Sequence, residues 1–146
     1  MCIRDRLKEK VNAILNNDAK AKILIMGDFN DYPDNKSIQE VLKASNRKEI
    51  KNDELFNLAA QLHQDGKGSY FYRGDWGMLD QMMVSKNFIQ PKSGVGVYQN
   101  SISIFDEKFI LFKHPKYGTW QPNRTYSGPK YHGGYSDHLP IYITLN

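Results

Sequence analysis

Cysteine occurs once, at Cys2, which excludes an internal disulfide and any cysteine-built zinc cage. Histidine is scarce too, and His63, His114, His132 and His138 stand at spacings that fit no zinc site. No apolar run approaches the ~20 residues that a membrane-crossing helix needs, and no secretory signal opens the chain. Low-complexity tracts and internal repeats are also missing. Neither sign of charge dominates: 20 Lys and Arg against 16 Asp and Glu leave a net charge of +4. That surplus suits an anionic partner without requiring one.

What is present is a chain of 146 residues with a globular balance, 40% hydrophobic and 25% charged. That is one domain's worth of length, enough to bury roughly 70% of the unfolded surface. The opening residues 1–6, Met1 to Arg6, fit no strand or cap. They are expected to lie outside the fold as a non-native or disordered start, with the domain covering 7–146.

The most informative stretch is Ile23-Leu24-Ile25-Met26-Gly27-Asp28-Phe29-Asn30. Four consecutive apolar residues predict a strand buried on both faces and central in its sheet. Gly27 permits close backbone approach. Asp28 and Asn30 are two apart, so an extended backbone points both the same way and turns Phe29 into packing. Asp31, Pro33 and Asp34 then break the strand. Taken alone, this stretch is equally well an ordinary strand ending in a polar turn.

Around it, Leu7, Val11, Ile14 and Leu15 predict an amphipathic helix from Leu7 to about Asn16, with Lys8, Glu9, Lys10 and Asn12 on its wet side. A helix leading into a strand is half of a crossover unit, so that strand's partner is expected upstream. Ser37 to Ala44 reads as a short helix capped by Asp34 or Asn35, and Asp53 to Leu62 as a second helix. Ser69–Arg73 and Leu79–Ser85 are expected as strands, paired antiparallel across Gly74–Gly77. Val95–Ile104 and Ile141–Leu145 complete the strands, and Phe109–Gly134 reads as a long surface loop, a kind that is more often functional than idle.

Two further segments carry chemistry: Leu79-Asp80-Gln81, and Ser136-Asp137-His138-Leu139-Pro140. Adjacent residues on an extended backbone diverge, so Ser136, Asp137 and His138 cannot form a hydrolytic triad among themselves. Basic and aromatic residues cluster at Tyr70–Trp76 and from Tyr117 to Tyr135. Such mixtures stack bases and grip phosphates, and are also ordinary strand material. Most of Phe71 and Tyr72 is assigned to packing. Arg73, Trp76 and Arg124 are candidates for substrate binding.

Gly27-Asp28-Phe29-Asn30, Leu79-Asp80-Gln81 and Ser136-Asp137-His138-Leu139-Pro140, in that order, resemble the endonuclease/exonuclease/phosphatase superfamily, the deoxyribonuclease-I-like fold. The resemblance covers about residues 7 to 146 and matches the C-terminal half of that domain. The wording around Asp80-Gln81 resembles a bacterial branch; nuclease branches usually carry Asp-Tyr there. The resemblance implies an α/β (α+β) fold, a partial four-layer αββα sandwich with mixed, mostly antiparallel sheets and its N-terminal half missing.

It also implies roles. Asp28 positions or deprotonates the attacking water, and Asn30 donates to a non-bridging phosphate oxygen. Asp80 fixes the tautomer of His138, which faces the phosphate, while Asp137 faces the metal. The implied cofactor is Mg²⁺, with Mn²⁺ as a substitute, in a hydrolase acting on phosphomonoesters or phosphodiesters. The family's N-terminal asparagine and its principal metal ligand, a glutamate, have no match, since Glu9, Glu40, Glu49, Glu54 and Glu107 fit no family motif. The isolated chain is therefore expected to be inactive, with an open edge or face at the Ile23 strand. The alternative is a non-catalytic phosphate- or nucleic-acid-binding module of the same fold. The partner is a phosphate-ester substrate, nucleic acid among the possibilities, with no stable protein partner and no membrane span implied.

Overall fold

A computed structural model describes residues 3–89, 91 and 94–146. Met1 and Cys2, at the head of the opening set apart above, lie outside the described residues. α1 spans Ile3–Asn17. Ile3 to Arg6, expected outside the fold, therefore form its first turn. Arg4 anchors that turn: its guanidinium pairs with Asp31 at 2.7 Å and donates to the Phe29 carbonyl. The buried stripe also differs from the expected one. Lys8 is buried and Ile14 is exposed. The Lys8 stem covers apolar surface while its ammonium donates to the Asp53 carbonyl. Loss of hydration pushes its pKa below the ordinary lysine value.

β1 (Leu24–Asp28) follows. Ser37–Val41 makes a single π-helical turn, and Ala44, expected at a helix end, opens β2 (Ala44–Ser45). β3 (Leu55–Asn57) lies where a helix is expected. The reason is tertiary: Leu55 enters one core and its neighbour Phe56 the other, an alternation that only a strand allows. The helix starts later, as α2 (Ala60–Gln64). β4 (Tyr70–Tyr72) pairs antiparallel with β5 (Asp75–Gly77), not with the strand after it. Arg73 and Gly74 sit at φ 52° and 107°, the left-handed pair that closes a two-residue hairpin.

β6 (Asp80–Ser85) and β7 (Val97–Ile104) come next. The expected loop of 109–134 is in fact folded back into two small hairpins. β8 (Leu111–Lys113) pairs with β9 (Trp120–Pro122), and β10 (Tyr126–Ser127) pairs with β11 (Lys130–Tyr131). β12 (Ile141–Leu145) closes the chain.

The main sheet has the order β1-β6-β3-β2, antiparallel except for β2 against β3. β6 is its spine. Met83 faces Val11, Ile38, Leu42 and Leu55 in the layer under α1. Met82 and Val84 face the opposite way, onto Val97 and Ile102 of the β7–β12 pair. Among the described residues, α1 packs over one face of the main sheet and the β7–β12 pair over the other.

β1 departs from expectation. Rather than lying centrally, it is the edge strand, and among the described residues it pairs only with β6. Its Ile25 packs toward α1, but Met26, on the other face, is 66% exposed. Leu24, two residues earlier on that face, packs against the core there, so the cover stops short of Met26.

Candidate active site

Strand register builds the site. In the antiparallel pairing of β1 with β6, Asp28 stands directly opposite Asp80. Directly opposed residues share a face, with Cβ atoms about 5 Å apart. The third acidic segment arrives through the backbone. His138 bridges to Tyr70, and the Leu139 amide donates to the Ser69 carbonyl at 2.7 Å. This docking brings His138 Nδ1 to 2.6 Å from Asp80 Oδ2. Nδ1–H donates to the carboxylate, which leaves Nε2 as the working nitrogen of the ring.

Asp80 and His138 are 58 residues apart in the chain, and both side chains are about one-fifth exposed. Ser69 holds the pair from behind, its hydroxyl donating to the same Asp80 oxygen. Tyr70 stacks on His138 at 4.7 Å between ring centroids. Sequence reasoning missed both residues. The signal for Tyr70 was weak: a ring at the start of an aromatic strand with nothing to link it to residue 138. Ser69 depends on Gly68, where a Cβ would lie 2.5 Å from the Gly77 carbonyl oxygen. Without that Cβ, β4 starts close against the end of β5, and Ser69 reaches Asp80.

Asn30 joins Asp28 by a different route from the one the spacing predicts. β1 ends at Asp28, and Asn30 takes a left-handed φ of 50°. Its backbone amide donates to Asp28 Oδ1 at 2.8 Å and its side-chain amide to Oδ2 at 3.3 Å. Asparagine tolerates this backbone better than most residues. Gly27, at φ 149°, occupies mirror-image extended geometry that suits only glycine.

The loop beyond is pinned by Asp31, whose place in the sequence suggests only a strand breaker. Its carboxylate accepts from Ser37 at 2.7 Å, from Asn35 at 2.9 Å and from Arg4. The Ser37 hydroxyl holds this carboxyl below the usual carboxylate range; partial burial opposes that, and Asn35 and Arg4 reinforce it. The Asp31 carbonyl accepts from Gln81 at 2.6 Å, and Gln81 in turn accepts from Asn57 at 2.7 Å. Gln81 is fully buried. Its position next to Asp80 thus bolts the Asn30 loop to the middle of the sheet.

Asp137 and Asp28 are exposed carboxylates. Among the described residues, no three His, Cys, Asp or Glu side chains converge where an ion could sit. A closed protein cage is therefore not built from them. The oxygen donors at hand suit Mg²⁺, which keeps several waters and takes one or two carboxylates.

The remaining candidates separate into two places. Trp76 is half-buried edge-on against Phe71, at 5.2 Å between centroids, and lines a cavity of about 940 Å³ with Lys67, Asp106 and Lys108. Arg73 and Arg124 share a neighbouring cleft of about 860 Å³. Tyr72, assigned to packing on the sequence, is instead 55% exposed beneath the Arg73 guanidinium, 5.1 Å from its ring centroid.

Compared with known proteins, residues 2–146 match the sequence profile described as Endonuclease/Exonuclease/phosphatase family. Neither curated proteins nor solved structures give a match. No helix among the described residues is long and apolar enough to cross a membrane.

Proposed function

The chain belongs to the endonuclease/exonuclease/phosphatase family, and from that premise we propose that the Asp28–Asp80–His138 rim hydrolyses a phosphoester by in-line attack of water. Family membership supports a hydrolase acting on phosphoester bonds. The observation that carries the finer reading is the 2.6 Å contact between Asp80 and His138, set across the strand pair from Asp28. A module that only binds phosphate has no need of an imidazole oriented by a carboxylate.

The roles follow from this arrangement. Asp28 is exposed at a strand end and accepts a proton from the attacking water. The new P–O bond forms on the side opposite the leaving oxygen, whose bond breaks. Asn30 and His138 donate to non-bridging oxygens as charge develops there. With both ring nitrogens protonated, Nδ1–H stays on Asp80, whose carboxylate Ser69 also holds, and Nε2–H is left to donate to the substrate. Asp137 would hold a Mg²⁺, or Mn²⁺ in its place, and the ion would supply positive charge to offset the charge that develops on the phosphoryl group.

The same reading makes this chain one half of the working site. Asp137 is a single carboxylate and, among the described residues, the edge of β1 is open, so further donors and further sheet belong beside β1. The test is Mg²⁺-dependent hydrolysis of bis(4-nitrophenyl) phosphate. A longer polypeptide that supplies those elements should turn it over and lose the activity on His138→Ala. The isolated chain should show negligible turnover. Robust activity of the 146 residues alone, abolished by Asp28→Ala, contradicts the half-site reading. Activity indifferent to His138 contradicts the catalytic one.

A further inference from the structure

The cleft of about 860 Å³ between the β4–β5 turn and the β8–β11 hairpins has an unusual lining. Arg73, Arg124 and Lys130 contribute fixed positive charge, and His114 and His132 stand beside them. Among the described residues, no Asp or Glu lines it. In the adjoining cavity, by contrast, Asp106 offsets Lys67 and Lys108. Among the described residues, Arg124 and Lys130 take part in no ion pair, and Arg73 rests on Tyr72. Like charges on one concave wall repel each other, and low-dielectric walls focus their field into the space between them. Such a wall is relieved by an anion.

The rings add direction. Tyr72 and Tyr117 are more than half exposed at the cleft. Tyr72 stacks with Tyr70 at 6.1 Å, and Tyr70 with His138 at 4.7 Å. Two ring steps therefore lead from the cleft to the imidazole of the rim. A ligand lying along this path meets flat aromatic surface and then positive charge, at a distance from the scissile bond.

We propose that the cleft is a second anion subsite, which takes a phosphate of the substrate other than the one being cleaved. It favours a chain that alternates phosphates with planar rings, a single nucleic-acid strand, over an isolated phosphate ester. The proposal rests on the reading of the rim as the cleaving site.

The experiment is fluorescence anisotropy of a labelled oligothymidylate of about eight nucleotides, titrated with salt against the protein and its variants. Arg124→Gln with Lys130→Gln should weaken binding about tenfold and flatten the salt dependence by about 1.4 in slope, roughly 0.7 for each phosphate that is no longer neutralised. Tyr72→Ser should weaken binding about fivefold or more with the slope unchanged, because stacking carries no counterion term. Thermal unfolding of each variant separates weakened binding from unfolding. A slope indifferent to both cations overturns the subsite. So does competition by thymidine monophosphate or inositol hexakisphosphate as effective, per molecule, as that of unlabelled oligomer. The two readings fail separately. Hydrolysis that ignores His138, with binding still dependent on Arg124 and Lys130, overturns the catalytic reading alone. Hydrolysis that needs His138, with a slope indifferent to the cations, overturns the cleft alone.

Discussion

At the rim, Asp80, His138 and Ser69 hold one another, and strand register sets Asp28 opposite them. In the cleft, Lys130 comes from the short, exposed β10–β11 hairpin and half-buried Arg124 from the link between the two hairpins. The rim rests on β1 and β6, which carry Asp28 and Asp80, and the Asn30 loop beside it is tied through the Asp31 carbonyl to buried Gln81 and Asn57. The cleft is held instead by the ladders of its two hairpins and by backbone bonds between them, the Asn123 amide to the Ile110 carbonyl at 2.8 Å and the Tyr135 amide to the Asn123 carbonyl at 2.6 Å. The difference fits a division of labour. Chemistry needs groups fixed to within fractions of an ångström, whereas gripping a flexible polyanion needs charge and surface more than exact placement.

The strongest way to break this comparison is at the rim. In the longer polypeptide, His138→Ala should lower turnover of a small phosphodiester by about 10²–10³-fold, the range lost with one preorganised donor to developing negative charge, with the melting temperature nearly unchanged. The cleft variants should leave that small substrate untouched. If they slow it as much as His138→Ala does, the two regions are one site.

Next in size is the tie between the rim and the core. Gln81→Leu leaves the Asn57 amide and the Asp31 carbonyl without their buried partner. The expected loss is about 1–3 kcal/mol of stability, read from the midpoint of urea unfolding. A neutral result would show that the Asn30 loop is held by Arg4 and Ser37 alone.

A smaller effect is expected at Ser69. Ser69→Ala removes one of two donors to Asp80 Oδ2 and should lower turnover about fivefold, matching a net hydrogen bond of ~1 kcal/mol. Ser69→Thr, which keeps the hydroxyl, should restore most of it. Equal losses in both variants would assign Ser69 to packing.

The smallest effect is confined to acid. Asp31 titrates below the ordinary carboxylate value of 3.8 in the folded protein. A depressed carboxyl contributes stability above its unfolded value and loses it as pH falls through the folded value. Below pH ~3.8, the stability advantage of the protein over Asp31→Asn should therefore shrink steadily, as unfolding measured across that range will show. An advantage that persists unchanged into strong acid would remove Asp31 from its role as the pin of the loop.

How far the sequence foretold this structure depends on whether a feature is local. Asp28, Asp80 and His138 sit in short motifs whose order and spacing were readable, and the pleat accounts for Asp28 facing Asp80. Asn30 reaches Asp28 through a left-handed turn, which a period-two pattern cannot foresee. Ser69 and Tyr70 gain their places only when β4 meets the segment before β12. Leu55 and Phe56 were misread as helical because two adjacent apolar residues resemble a helix margin until two separate cores are known to flank them. The Ile23–Met26 run looked buried on both faces because apolar content does not reveal how far the cover over each face extends. The basic and aromatic residues after Tyr117 were visible as composition, but the hairpins that curl them toward Arg73 were not.

One consequence follows from the open side of β1. Its outward-facing amides and carbonyls form a template on which a second chain can lay down a strand, and Met26 adds an oily patch beside it. Asp28 is the charge that interrupts this template at its end, as gatekeeper residues do. Neutralising it removes the proposed base and, at the same moment, the electrostatic brake on self-association. Kinetics of Asp28→Ala should therefore be read together with light scattering over a range of concentrations, and Asp28→Glu, which keeps the charge, is the variant that separates lost chemistry from lost monomer.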